Sequence, residues 1–270
     1  FIFFSIMDIL RAIILGLIQG LTEFLPISSS GHLIIGKELL GLTSNENIVF
    51  ETVVHAATVL STITILWKEI SNLIAKFFKF KWNPETQYIA KIFLSMIPVM
   101  IVGFFFKDAV ESFFGEGLLL VGIMLLVTAV LLSMTNFVKF KERKSVGFGS
   151  AFIIGISQAI AVLPGLSRSG ATISTGLLLG VKKEEVAQFS FLMVLIPILG
   201  ETFLGIVGGD FSVQSSGITT ASLIAGFIAA YLAGLFACKF MINLVKRINL
   251  IWFAIYCAII GSIAIIFSLC

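Results

Sequence analysis

Glu23, Ser29, His32 and Arg168 place a carboxylate, a hydroxyl, an imidazole and a guanidinium in a chain that is otherwise mostly apolar. Groups of this kind are costly in hydrocarbon unless they face one another around a polar ligand, so such a set marks a site. The chemistry that suits it is work on an anion. A planar guanidinium matches phosphate oxygens, and a hydroxyl beside an acid and an imidazole is a candidate nucleophile with candidate bases. The four residues lie in two polar runs that match each other. Gly16-Leu17-Ile18-Gln19, followed by Ser28-Ser29-Ser30-Gly31, recurs 139 residues on as Gly155-Ile156-Ser157-Gln158, followed by Ser167-Arg168-Ser169-Gly170. An ungapped internal repeat of this length implies duplicated halves.

Each run is built to open a helix. Gln19 and Glu23 are four residues apart and share one helical face. Ser28, Ser29 and Ser30 follow Pro26 and precede an apolar run from Leu33, the pattern of an N-cap that leaves free backbone N–H groups at a positive helix end. The second copy, Pro164 to Thr172, has the same design, with Gly165 and Gly170 permitting close backbone approach and Arg168 adding a fixed charge. Two half-helix N-termini that meet from opposite sides make an anion site. The expected substrate-binding positions are therefore Gln19, Ser28, Ser30, Ser167, Ser169, Gly165 and Thr172. Each feature alone has a plainer reading. Serines before helices are usually only caps, a lone intramembrane His or Glu often just bonds two helices, and Pro-Gly pairs mark kinks. What favours a site is that Glu23, His32 and Arg168 all fall in the duplicated, broken elements, which otherwise hold only Lys37 deep within them.

The elements that must position these residues follow from the hydropathy. With 58% hydrophobic residues, 12% charged and a mean hydropathy of +1.10, the chain reads as an all-α integral membrane protein. Six stretches are long and apolar enough to span: 49–67, 88–106, 117–138, 185–207, 217–239 and 249–269. Two more, 8–40 and 148–181, are apolar but broken by Pro and Ser. These read as re-entrant hairpins, which membranes allow only where the broken backbone is buried in protein or lines a wet cavity. If the spans alternate, 14 of the 18 basic residues fall on one side, which is then cytoplasmic. Hairpin 148–181 enters from that side and hairpin 8–40 from outside. The halves, 8–138 and 148–270, are thus expected to form an inverted-topology repeat within one membrane domain, with the site facing outward.

Other residues carry less. His55 is four residues after Glu51 and is expected either to pair locally or to reach the site as a supporting group. Trp67 and Trp82 fit an interfacial belt on the cytoplasmic side. Cys238, Cys257 and Cys270 lack metal or disulfide spacing and read as small apolar residues. Phe1 to Ile6 lack the basic start and cleavage site of a signal peptide, and Met7-Asp8 resembles a natural start. Walker, Rossmann and HExxH signatures are absent, and no feature suggests a nucleic-acid partner.

At these motifs the chain resembles the undecaprenyl pyrophosphate phosphatase family, the bacitracin-resistance type. One family motif, Glu or Gln then three residues then Glu, matches Gln19 and Glu23 and runs on to His32. A second, Pro-Gly-x-Ser-Arg-Ser-x-x-Thr, matches Pro164 to Thr172. The resemblance implies hydrolysis of undecaprenyl pyrophosphate in the bacterial plasma membrane, which recycles the polyprenyl lipid carrier for peptidoglycan synthesis. It also implies a divalent cation, Mg²⁺ or Ca²⁺, with Glu23 a candidate metal ligand. Many members carry Glu where Gln19 stands, and Gln supplies neither a base nor a negative ligand. On this reading Ser29 is the candidate nucleophile, with His32 and Glu23 beside it and Arg168 holding the diphosphate. Water or His32 as nucleophile stays open, as does a monomeric or dimeric state. The rival is a transporter or flippase for a phosphorylated polyprenyl lipid, since inverted repeats with broken helices are also transporter architecture. An anion carrier, however, needs the arginine and helix ends but no serine beside an imidazole.

Overall fold

The computed structural model of this protein describes residues 2–42, 48–114, 117–137, 145–208, 218–247 and 249–269. Every regular element among them is a helix: α1 (Ile2–Thr22), α2 (Ser29–Leu39), α3 (Ile48–Ile65), α4 (Trp67–Phe77), α5 (Pro84–Phe105), α6 (Lys107–Phe114), α7 (Gly117–Phe137), α8 (Phe148–Ile160), α9 (Arg168–Leu178), α10 (Lys183–Gly208), α11 (Thr220–Arg247) and α12 (Ile251–Leu269). Four candidate spans stand out among the described residues, Pro84–Phe105, Gly117–Phe137, Thr220–Leu244 and Ile251–Leu269, with a fifth if the bent pair α3–α4 counts as one span. The chain is a multi-pass helical membrane protein. Its surface agrees: Phe104, Phe105 and Phe137 are 75%, 79% and 77% exposed, whereas Gln19, Ser61, Thr128 and Gln158 are buried. Apolar groups outside and polar groups inside is the arrangement a bilayer favours.

Both broken regions are helical pairs. The breaks fall at residues 23–28 and 161–167, each containing its proline. At 11 to 13 residues, α2, α8 and α9 are too short to cross the hydrocarbon core. Helix α1 departs from the expected limb: it continues back to Ile2, so the apolar residues before Asp8 extend it rather than lie apart. Helix α4 is a second departure. The span expected over 49–67 ends at Ile65, and the basic segment beyond it opens with a helix bent 77° from α3 with no buried residue. The cause is in the sequence. Past Leu66 the apolar run gives way to Lys68, Glu69 and Lys76 alternating at helical spacing with Ile70, Leu73 and Phe77, which makes a helix suited to the membrane interface rather than its core. Trp67 and Trp82 are both exposed there. The basic residues Lys139, Lys141, Arg143 and Lys144, and also Asp210, lie outside the described residues.

Close helix crossings hold the bundle together. Helix α1 packs on α11, α5 on α8, α7 on α12 and α3 on α11. At each of the first three a glycine lets the backbones touch. A Cβ on Gly16 would lie 2.4 Å from the Gly226 carbonyl oxygen, and one on Gly155 would lie 2.3 Å from that of Ser95. Gly122 and Gly261 meet reciprocally, the Cβ of either falling 2.8 Å from the other's carbonyl oxygen. Small residues at such contacts are how helices associate where lipid is as apolar as the side chains.

Candidate functional site

The last turn of α1 runs on to Glu23, whose amide donates to the Gln19 carbonyl oxygen at 3.0 Å. This puts the two side chains together, and Gln19 Nε2 donates to Glu23 Oε2 at 2.8 Å. The chain then turns through Pro26 and enters α2 at Ser28, whose φ of +70° is unusual for a residue with a Cβ. Ser28 Oγ accepts from the Gly31 amide at 3.2 Å and so caps α2. With that turn fixed, Ser29 Oγ donates to Glu23 Oε2 at 2.6 Å. The acid and the hydroxyl are in direct contact.

The second hairpin repeats the cap. Ser167 Oγ accepts from the Gly170 amide at 3.0 Å, and the Ser167–Ser169 hydroxyl separation of 3.4 Å matches the 3.3 Å between Ser28 and Ser30. Here Gly165, at φ +90°, absorbs the reversal that Ser28 makes in the first hairpin. The two tips touch. The Gly165 amide reaches Ser30 Oγ at 3.5 Å, and a Cβ on Gly31 would lie 3.1 Å from the Gly165 Cα. Among the described residues the amides of Ser29, Ser30, Arg168 and Ser169 make no hydrogen bond, so each tip presents two free donors at a positive helix end. Arg168 and Glu23 line one small cavity of about 20 Å³, room for roughly one water, together with Thr58, Thr62, Ser169 and Ser190.

Not every expected residue faces that cavity freely. Ser169 Oγ donates to the Leu25 carbonyl oxygen at 3.0 Å and ties the second hairpin to the turn of the first. The Ser167 amide donates to Thr128 Oγ1 of α7 at 3.0 Å. Thr172 is buried, bonded to Ser190 of α10 at 2.6 Å and to the Arg168 carbonyl oxygen at 2.8 Å. These groups brace α9, and with it Arg168. His32 is turned from Ser29: Nδ1 lies 2.8 Å from the Ser28 carbonyl oxygen and Nε2 2.8 Å from the Tyr256 hydroxyl.

Three further residues complete the surroundings of the site, and of these Tyr256 has no signal in the motifs. Tyr256, on α12, also stacks on His32 with ring centroids 5.6 Å apart. His55 Nδ1 donates locally to the Glu51 carbonyl oxygen at 2.8 Å, while its Nε2 lies 3.8 Å from Glu23 Oε2, so it does reach the site. Lys37, buried on α2, pairs with Glu51 on α3 and thereby pins the hairpin to the helix that carries His55. Lys37→Met is expected to cost about 3 kcal/mol, the lower end for a broken buried pair because Glu51 is partly exposed. Thermal unfolding in detergent checks this, with Lys37→Met plus Glu51→Leu recovering most of the loss. A double variant as unstable as the single would show that the pair is not what Lys37 contributes.

Fold and site together define a polytopic helical membrane protein with a polar centre where the two broken helical pairs meet. The chain belongs to the bacitracin resistance protein BacA family, which it matches over residues 12–263. It is 57% identical over 265 residues to the undecaprenyl-diphosphatase of Bacteroides fragilis, covering 97% of this chain and 99% of that one. The identity to the undecaprenyl-diphosphatase of Bacteroides thetaiotaomicron is 57% over 267 residues, with 97% and 100% covered. To that of Methanosphaera stadtmanae it is 39% over 279 residues, with 97% and 99% covered.

Proposed function

We propose that this chain hydrolyses undecaprenyl diphosphate to undecaprenyl phosphate and inorganic phosphate, returning the lipid carrier to bacterial cell-wall synthesis and giving bacitracin resistance. The observation that carries the chemistry is the 2.6 Å hydrogen bond from Ser29 to Glu23, an arrangement a carrier of anions does not need. Ser29 Oγ attacks the terminal phosphorus while its proton passes to Glu23 Oε2. The new Oγ–P bond forms as the anhydride P–O bond breaks, and that electron pair leaves on undecaprenyl phosphate. Water then attacks the phosphoserine phosphorus as the Oγ–P bond breaks; Glu23 returns its proton to Ser29 Oγ, and the hydrogens of the water stay on the inorganic phosphate released. Arg168 and the free amides of the two tips hold the phosphoryl oxygens as charge gathers there. His32 has both ring nitrogens engaged elsewhere, which leaves Glu23 as the base for Ser29.

The donors present fit a divalent cation shared with the diphosphate rather than one held by protein alone. Gln19 Oε1 is buried without a partner beside the single carboxylate of Glu23, and no cluster of three His, Cys, Asp or Glu side chains forms among the described residues. Glu23 and Gln19 would hold Mg²⁺ or Ca²⁺ by hard oxygen ligands, with substrate phosphates as the others. The ion would neutralise diphosphate charge.

The topology proposed is six spans and two re-entrant hairpins in inverted halves. Its support is that Gly16 and Gly155, Gly122 and Gly261, and the capping Ser28 and Ser167 are related by the same 139-residue offset and do the same structural work. Because Gly122 and Gly261 touch reciprocally, a two-fold axis relating the halves would pass between them. The basic-residue bias supports a site open to the outer side of the plasma membrane. The test is phosphate release from C55 diphosphate by the purified protein in detergent, with and without Mg²⁺ or Ca²⁺. Ser29→Ala and Arg168→Ala are each expected to lower turnover by about 10³-fold while the protein stays folded. Lipid binding without release by a folded wild type would favour transport instead.

A further inference from the structure

One of the two hydrogen-bond partners of His32 is supplied from the far end of the chain. Ser28 offers a carbonyl oxygen, which only accepts, so His32 Nδ1 must carry the proton of that 2.8 Å bond. In the neutral ring Nε2 is then an acceptor, and the Tyr256 hydroxyl, 2.8 Å away, is its donor. The rings lie within 9° of parallel, so the contact fixes the imidazole plane as well as its tautomer. The Ser28 carbonyl oxygen also accepts the His32 amide at 3.1 Å, closing the first turn of α2. Ser28 is the residue held at φ +70°, and Ser29 follows it directly. A strained backbone of this kind persists only where its surroundings over-determine it.

We infer that Tyr256 is a positioning residue for the reaction: through His32 it holds the Ser28 carbonyl, and so sets the direction in which α2 presents the Ser29 hydroxyl to Glu23. The inference rests on the phosphatase reading for its kinetic consequence but not for its structural one. A span of the second half thereby fixes the reactive turn of the first. Tyr256 is 39% exposed, so its ring can be altered without opening the core.

Tyr256→Phe keeps the ring and its stacking and removes only the donor. Turnover is expected to fall about tenfold with KM little changed, since the misplacement concerns Ser29 rather than the lipid. In a double-mutant cycle, Tyr256→Phe should cost almost nothing once His32 is already Ala. The chain has two histidines, so ¹⁵N-histidine NMR with His55→Gln for assignment reads His32 directly. The wild type should hold the single Nδ1–H tautomer, and Tyr256→Phe should mix the two. An unchanged tautomer, or a kinetic loss that persists undiminished in the His32→Ala background, would overturn the inference. Should the wild type release no phosphate at all, the phosphatase reading fails, and the NMR arm alone decides whether Tyr256 holds His32.

Discussion

Glu23→Gln should leave a folded protein whose turnover is lower by about 10³-fold, the scale of losing a positioned general base. The substitution keeps the shape of the side chain and an oxygen able to accept from Ser29 Oγ at the present 2.6 Å, so the hydrogen bond survives while the proton acceptor does not. The cavity shared with Arg168, Thr58 and Thr62 keeps its lining. Because Glu23 is also the proposed cation ligand, two causes of the loss must be separated. Phosphate release measured across a Mg²⁺ titration does so. If Glu23 acts as base, the deficit stays at saturating Mg²⁺. Recovery at high Mg²⁺ would make the carboxylate a ligand alone. A variant within tenfold of wild type at every concentration would remove Glu23 from the chemistry and return attention to direct attack by water.

Much of this architecture is readable in the residues because it is local. The serine caps, the Pro-containing breaks and the shared face of Gln19 and Glu23 depend on neighbours within a few positions, and the structure has each of them. The bend at Leu66 was readable in principle, since the change from an apolar run to an amphipathic pattern occurs at that residue. What sequence does not reveal is which distant group satisfies a polar atom. Tyr256 is 224 positions from His32, and Thr128 is 39 from Ser167. A lone Tyr in an apolar span signals that its hydroxyl needs a partner but not which one. The same limit explains Ser169 and Thr172. By type and spacing they look like ligand-binding hydroxyls, yet in the structure their bonds go to Leu25 and Ser190. Burial makes internal partners obligatory, and packing chooses them.

Gly155→Ala should be among the most damaging single substitutions outside the site, preventing stable folding in detergent. The added methyl would sit 2.3 Å from the Ser95 carbonyl oxygen and 2.8 Å from the Ser95 Cα, and backbone on both sides leaves no side chain to swing away. Relief requires α8 and α5 to separate, which would strip contacts from Ile154 and Met96, both fully buried beside the crossing. Gly16→Ala meets the same obstacle against Gly226 and should behave alike, because repeat-related helices cross at repeat-related glycines. The controls are Gly103→Ala and Gly149→Ala, which have open space around the new methyl and should be neutral or slightly stabilising through better helix propensity. Size-exclusion profiles and thermal melts of the four variants provide the comparison. A stable Gly155→Ala protein would mean that α5 and α8 do not meet as closely as described, and hairpin two would then have to seat Arg168 by other contacts. Loss at Gly155 and Gly16 together, with the controls intact, ties the placement of both hairpins, and hence of Ser29 and Arg168, to two matching helix crossings.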